Sequence, residues 1–281
     1  MFLIIIACTL PETLRSIVGD GKTPPPGVLQ VPAQHWVSPI DTSLQPAKLR
    51  RSLRIDLRGP IDVLRHPEVA LVVFFLSLHY ATWQMSITAQ SSLFKAEYDL
   101  TELQNGLTFL ANGLGCMVGT LTTGKLLDRD YRRAKGSDNR ASSLEILRLR
   151  TLWVWSPLQC TAVLAFGWTI DRHVHIAAPI VFSFILAWSA MSAQSVISTY
   201  LVDLFPRQSA TATAALNLGR CLFGAGATAA VQPSINAIGV GWTFTMWACF
   251  LVLSLSLIAV QMRYAGHWRS RRDGGADACS P

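Results

Sequence analysis

The chain has 281 residues, of which 51% are apolar and only 15% are charged, with a mean hydropathy of +0.34. A soluble chain usually carries about 25% charged residues, so this composition argues against a soluble enzyme and indicates an integral membrane protein. The formal net charge of +7 would suit a nucleic-acid-binding protein, but the basic residues sit in loops between apolar runs, which excludes nucleic acid as the expected partner.

The first 67 residues contain no complete span. Residues 1–21 begin with MFLIIIACTL, which is too short to cross a bilayer and lacks the basic start and cleavage site of a signal peptide. Residues 22–67 form a Pro-rich, basic linker, in which residues 24–26 are three prolines that favour extended polyproline structure. The basic stretch between Lys48 and Arg65 could be an amphipathic helix on the membrane surface or a solvated linker.

Six apolar runs in residues 68–263 each have the length that a membrane-spanning helix needs, and residues 264–281 are predicted to be a cytoplasmic tail. Of the 24 Lys and Arg residues, 21 fall on one side of such a bundle, Lys95 and Arg172 on the other, and Arg220 inside a span. This sorting places both termini in the cytoplasm. The predicted fold is all-α and polytopic, with spans at about Val69–Gln90, Leu103–Leu127, Leu152–Ile170, Ile176–Leu201, Ala210–Val231 and Val240–Met262.

The second span contains a glycine pair with the spacing of a membrane helix-packing motif. Lys125 is the single charged residue of Leu103–Leu127, and Gly115 and Gly119 lie four residues apart on one helix face. Small residues at this spacing let two helix backbones approach closely, so tight packing against another helix is expected.

The second span ends in a charged segment that carries a family resemblance. Residues 124–133, GKLLDRDYRR, resemble the G-x-L-x-D-[RK]-x-G-[RK]-[RK] signature of the major facilitator superfamily, with Tyr131 in place of the second glycine. A plain basic cytoplasmic loop is the alternative. The resemblance implies a gating loop after the second helix of a six-helix half, formed by Gly124, Asp128, Arg129, Arg132 and Arg133.

Two further segments resemble fungal multidrug transporters of the drug:proton antiporter type within that superfamily. Residues 11–21, PETLRSIVGDG, are similar to the segment after the sixth helix of those proteins, which implies that residues 1–21 are the end of such a helix and its cytoplasmic exit. Residues 202–225, which contain VDLFP, Asn217, Arg220 and the Gly224–Ala225 pair, are similar to the tenth-to-eleventh helix region of those proteins. The resemblance covers nearly the whole chain as a C-terminal half, and it implies a missing or separate N-terminal six-helix half as a partner.

Arg220 is the most informative single residue. It lies about 15 Å into the fifth span, where a charge costs several kcal/mol unless it faces a polar cavity or a partner. Snorkelling of the guanidinium to the cytoplasmic surface is the alternative. Asn217 lies three residues earlier on the same helix face.

The resemblance also implies that the first and fourth spans line a central cavity. Aromatic and amide side chains there suit bulky, partly cationic organic compounds, although ordinary packing and interhelical hydrogen bonding explain them equally well. The candidate cavity residues are Tyr80, Gln84, Trp188, Gln194, Asn217 and Arg220.

The implied activity is proton-coupled efflux of drugs or metabolites, with protons as a possible partner and the plasma membrane as the expected location. No Asp or Glu lies in the middle of a predicted span, and His79 is the one group there that titrates near neutrality. The coupling carboxylate therefore belongs to the other half, or the chain does not couple protons. A non-transporting remnant or regulatory membrane protein is the alternative function; no cofactor, metal or enzymatic activity is expected.

Overall fold

The computed structural model describes residues 64, 65, 67–134, 140–204 and 209–277, and this part of the chain forms six long α-helices. The predictions for residues 1–63 lie outside the described residues, among them the helix end, most of the linker and the surface helix. The helices are α1 Pro67–Tyr98, α2 Glu102–Ala134, α3 Arg140–Asp171, α4 Ala177–Leu204, α5 Ser209–Ile238 and α6 Val240–Asp277. The predicted all-α, six-helix architecture is confirmed.

Four helices, α1, α4, α5 and α6, are long and apolar enough to cross a membrane by length and composition. Helices α2 and α3 are as long, at 33 and 32 residues. Their mean hydropathy is lowered by the glycines and charged end of α2 and by the basic start of α3.

The α1–α2, α3–α4 and α5–α6 connections are short. Asp99, in the α1–α2 turn, and His173, in the α3–α4 turn, both have a φ of 49°, while Gly239 alone joins α5 to α6 with a φ of 85° that only glycine adopts readily. Lys95 pairs with Glu102 across the α1–α2 turn, and this ion pair holds the pKa of the Glu102 carboxyl below its usual range.

Two helices continue well past their predicted ends. Helix α2 runs to Ala134, so the segment expected to be a gating loop is helical. After Gly124 it contains no glycine or proline, and Tyr131 stands where the family signature has the glycine that would most readily end a helix. Helix α6 likewise continues to Asp277 through most of the predicted tail.

Helix packing is organised around α1, α3 and α4. The closest neighbours are α2 with α4, α3 with α4, α1 with α5, and α3 with α6, while α1 also touches α4 and α6. The buried apolar residues form one cluster around Phe75 and Ile197 and a second around Met85, Phe166 and Phe244. In a bilayer this contact contributes mainly dispersion energy, because lipid chains are as apolar as the side chains they replace.

The predicted close approach at Gly115 and Gly119 is confirmed. A Cβ atom built on Gly115 would lie 2.4 Å from the Phe184 carbonyl oxygen and 2.9 Å from the Ala187 Cβ. A Cβ atom on Gly119 would lie 2.8 Å from the Trp188 carbonyl oxygen. The two glycines therefore let the backbone of α2 rest directly on α4.

Candidate functional site

Tyr80 on α1 and Arg220 on α5 form the centre of the candidate site. The Arg220 Cζ lies 4.7 Å from the centre of the Tyr80 ring, a cation–π contact that contributes about 0.5–2 kcal/mol. Gly219 and Gly224 allow the two helices to come this close. A Cβ on Gly224 would lie 3.1 Å from the Tyr80 Cε1, and one on Gly219 would lie 2.8 Å from the Ser77 Oγ.

The positive charge of Arg220 is not neutralised by an acidic partner in the described part of the chain. The ion pairs found there join Lys95 to Glu102, Arg148 to Asp203 and His173 to Glu97. The Arg220 Nε is buried and has no hydrogen-bond partner among the described residues. Because a guanidinium has five N–H donors and a fixed positive charge, this side chain retains the capacity to bind an anionic or acceptor-rich group.

Two more of the predicted cavity residues adjoin this pair. The Tyr80 hydroxyl donates a weak hydrogen bond to the Gln84 Oε1 at 3.4 Å, one turn further along α1. Asn217 is exposed on α5, one turn before Arg220. Tyr80, Gln84, Asn217 and Arg220 are called the Arg220 cluster below.

Trp188 and Gln194 on α4 are not joined to the Arg220 cluster by any hydrogen bond or ring contact among the described residues. The Trp188 Nε1 donates to the Thr122 Oγ1 at 3.0 Å, and its ring packs against Trp155 at a centroid distance of 5.9 Å. Trp188 thus contacts both α2 and α3 from α4. Gln194 is half-buried six residues later, on a different face of α4. Their role as cavity residues stays a prediction.

The charged end of α2 lines a cavity that is separate from the Arg220 cluster. Lys125, Asp128, Arg129 and Arg132 line a cavity of about 460 Å³ and lie on one helix face at intervals of three and four residues. Gly124 has open space around it, and Arg133 belongs to the same helix. The predicted gating residues therefore all belong to one continuous helical segment at the end of α2.

No protein-family model matches the chain. The chain is 30% identical to citrate exporter 1 of Aspergillus niger, over 96% of this chain and 55% of that protein. It is 31% identical to the MFS antiporter QDR2 of Candida albicans, over 89% of this chain and 53% of that protein, and 30% identical to QDR1 of the same organism over 89% and 52%. Over most of its length the chain is therefore similar to fungal transporters of the major facilitator superfamily. It spans about half the length of the curated relatives it matches.

A regular apolar stripe of α2 is left uncovered by the other described helices. Its members recur at intervals of four and three residues and are 55% to 77% exposed: Leu103, Leu107, Leu110, Leu114, Met117 and Leu121. Gly106, Gly113 and Gly124 lie along the open side of α2, with nothing within 4 Å of a Cβ built on any of them. The stripe, called the α2 stripe below, faces away from α4, which Gly115 and Gly119 contact.

A second cavity lies between α1, α5 and α6. It measures about 670 Å³, and its walls include Phe74, Phe223, Trp247 and Phe250. No residue of the Arg220 cluster lines it. Its nearly all-apolar lining suits lipid chains, and we do not assign substrate binding to it.

Two buried polar contacts were not foreseen from the sequence. The Arg148 side chain on α3 is 8% exposed and forms an ion pair and hydrogen bond with Asp203 near the end of α4. His79 on α1 is fully buried and bonds to Gln159 on α3. These partners are 55 and 80 residues apart in the chain, and no local sequence signal connects them.

Proposed function

We propose that the chain acts as the C-terminal half of a transporter that exports small organic anions, together with an N-terminal six-helix half. The uncompensated guanidinium of Arg220 carries the substrate assignment, and the half-length match to full transporters supports the need for a partner. Both termini are cytoplasmic in this proposal because of the sorting of Lys and Arg, and the plasma membrane is the proposed location.

The α2 stripe supports a helical partner. A repeat of four and three residues keeps side chains on one line along a helix, which is typical of contact with another long helix. The open glycines of α2 would let such a partner approach closely. Alternating access requires two halves that rock around a site between them, and this chain would supply one of them.

The geometry of Tyr80 favours an anionic substrate over a cationic one. The sequence suggested that aromatic residues would stack on a cationic compound, but Arg220 already occupies a face of the Tyr80 ring. A cationic substrate would also be repelled by Arg220, whereas a carboxylate would gain a charge-assisted hydrogen bond. The relative named a citrate exporter supports a carboxylate as the substrate class.

Proton-coupled efflux of other organic compounds is the second candidate function. The relatives named antiporters favour it. Tyr80 and Trp83 form an aromatic pair at a centroid distance of 5.5 Å, which gives an apolar compound a surface to stack on. The two candidates differ in the role of Arg220, because stacking alone does not need its charge.

The test is export of radiolabelled citrate from yeast cells that produce this chain with the N-terminal half of a related exporter. Arg220→Ala is expected to lower the export rate about ten- to hundredfold, since losing a charged hydrogen bond costs about 1.5–3 kcal/mol. Arg220→Lys should restore only part of the rate, because an ammonium cannot form the planar, forked contact.

Arg172→Ala is the matched control. Arg172 lies over the Trp168 ring at 5.7 Å, so it has the same arginine–aromatic geometry, but it is exposed in the α3–α4 turn. Its removal should leave export unchanged, with surface expression of every variant measured in parallel. Wild-type export by Arg220→Ala would mean that Arg220 only snorkels, and absence of citrate export by the wild-type pair would reject the carboxylate assignment.

A further inference from the structure

His79 is the buried centre of a polar cluster that links α1 to α3 and α6. Its Nδ1 lies 2.8 Å from the Gln159 Oε1, and its Nε2 lies 3.3 Å from the Ser156 Oγ and 3.4 Å from the Ser254 Oγ. The Gln159 Nε2 also donates to the backbone carbonyl oxygen of His79 at 2.9 Å. The ring of Phe75 covers the imidazole at a centroid distance of 4.2 Å.

The hydrogen bonds determine which ring nitrogen carries the proton. The backbone carbonyl of His79 can only accept, so the amide nitrogen of Gln159 must face it and the amide oxygen must face Nδ1. An amide oxygen can also only accept, and Nδ1 therefore carries hydrogen. Ser254 donates its one hydrogen to the Leu251 carbonyl at 2.7 Å, which leaves Ser156 to donate to a bare Nε2.

The surroundings of the ring favour the neutral form. The hydrogen-bond and ring partners of the imidazole among the described residues are all uncharged. They are Phe75 from α1, Ser156 and Gln159 from α3, and Ser254 from α6. His79 itself is fully buried. A buried imidazolium without a counter-ion would lose its hydration without a compensating partner, whereas the neutral ring has a hydrogen-bond partner at each nitrogen.

We propose that His79 is a permanently neutral positioning residue, protonated at Nδ1, which fixes α1 against α3 so that the next residue, Tyr80, meets Arg220. Gln159 holds both the side chain and the backbone of His79, and this double contact opposes rotation and sliding of α1. Tyr80 projects about 100° further around the helix, toward α5. The consequence for transport rests on the proposed function, but the positioning itself does not.

The first experiment measures the tautomer and charge of the imidazole directly. The full chain is labelled with ¹⁵N-histidine, placed in lipid bilayers and studied by solid-state NMR, with His79 assigned by the signal that His79→Asn removes. We expect one protonated Nδ1 and one bare Nε2 that do not change between about pH 5 and pH 8. A proton on Nε2, or a second proton gained within this range, would overturn the proposal.

The second experiment uses Cys160, which follows Gln159 on α3 and is 8% exposed, as a reporter of the α1–α3 contact. Maleimide labelling is followed in a variant whose other five cysteines are serine. His79→Ala removes the side-chain bond to Gln159 while keeping the backbone carbonyl as an acceptor, and it is expected to label about tenfold faster. His79→Asn places an amide nitrogen at the position of Nδ1, keeps the bond to Gln159 and should label at the wild-type rate.

Comparing the asparagine and glutamine variants of His79 shows whether the residue acts through its bond to Gln159 or only by filling space in the core. His79→Gln reaches the position of Nε2 rather than Nδ1, so it should label like the alanine variant. His173→Asn, in the exposed α3–α4 turn, should label like the wild type and controls for histidine replacement in general. Equal labelling of the asparagine, glutamine and alanine variants would overturn the assignment to the Gln159 contact. None of these readouts uses transport, so their failure is distinct from failure of the proposed function.

Discussion

Replacing Gly115 by alanine is expected to destabilise the helix bundle, although alanine is the better helix former. The new Cβ would lie 2.4 Å from the Phe184 carbonyl oxygen and 2.9 Å from the Ala187 Cβ. Comfortable carbon contacts are about 3.5–4.0 Å, so α2 and α4 would have to separate by about 1 Å. Such overpacking costs about 1–3 kcal/mol, while the Gly→Ala change itself returns about 0.5–1 kcal/mol.

Gly113→Ala is the matched control on the same helix. Nothing lies within 4 Å of a Cβ at this position, so the substitution should gain helix propensity without a steric cost. The two variants should therefore differ in free energy of unfolding by about 2 kcal/mol. At about 2–4 °C of Tm per kcal/mol, this corresponds to roughly 4–8 °C.

The assay is thermal unfolding of each purified variant in the same detergent, at one scan rate, because unfolding of membrane proteins is often irreversible. The Gly115 variant should melt first, followed by the wild type and then the Gly113 variant. If Gly115→Ala melts at or above the temperature of Gly113→Ala, the direct contact between the α2 and α4 backbones is wrong.

Three further predictions concern charged residues at helix ends and the topology of the chain in the membrane. Asp203→Asn should lower the Tm by an amount equivalent to about 1–3 kcal/mol, because it leaves the buried Arg148 unpaired. The effect is at the moderate end because the Asp203 side chain is 45% exposed. An unchanged Tm would show that the pair contributes nothing to stability. If Asp128 contacts the other half in one transport state only, Asp128→Asn should change the accessibility of a cysteine introduced into the central cavity, and only when an N-terminal half is present. If Arg129 and Arg132 merely bind lipid headgroups, the accessibility should not change. Reporter tags after Pro281 and within residues 137–139 should be cytoplasmic and a tag at residues 171–172 external, and an external C-terminus would reject the six-span topology.

The fold could be predicted from the sequence because each helix contains a long apolar run. The predicted spans lie within the observed helices, apart from the first residue of the fourth. The ends were less predictable, since the apolar run marks what suits a bilayer and not where hydrogen bonding stops. Helix α2 continues from Leu127 to Ala134 because its arginines are good helix formers and no glycine or proline interrupts this segment.

The candidate site was only partly predictable. The sequence identified Arg220 by its position in a span and Tyr80 by its place in the first span, which the resemblance implies lines the cavity. The direct contact between them depends on how α1 and α5 pack. Trp188 shows the limit of residue type as a guide, because an indole suits a substrate cavity and a helix contact equally well. Its bond to Thr122 depends on the α2–α4 approach that Gly119 permits.

The most direct test of the account is citrate flux into liposomes that contain the purified chain alone, the N-terminal half alone, or both. Flux above that of empty liposomes is expected only when both halves are present, because alternating access needs two halves around one site. In the paired liposomes, Arg220→Ala should lower this flux about ten- to hundredfold. Equal flux from the chain alone, or no flux from the wild-type pair, would contradict the proposal that this chain is one half of an organic-anion transporter.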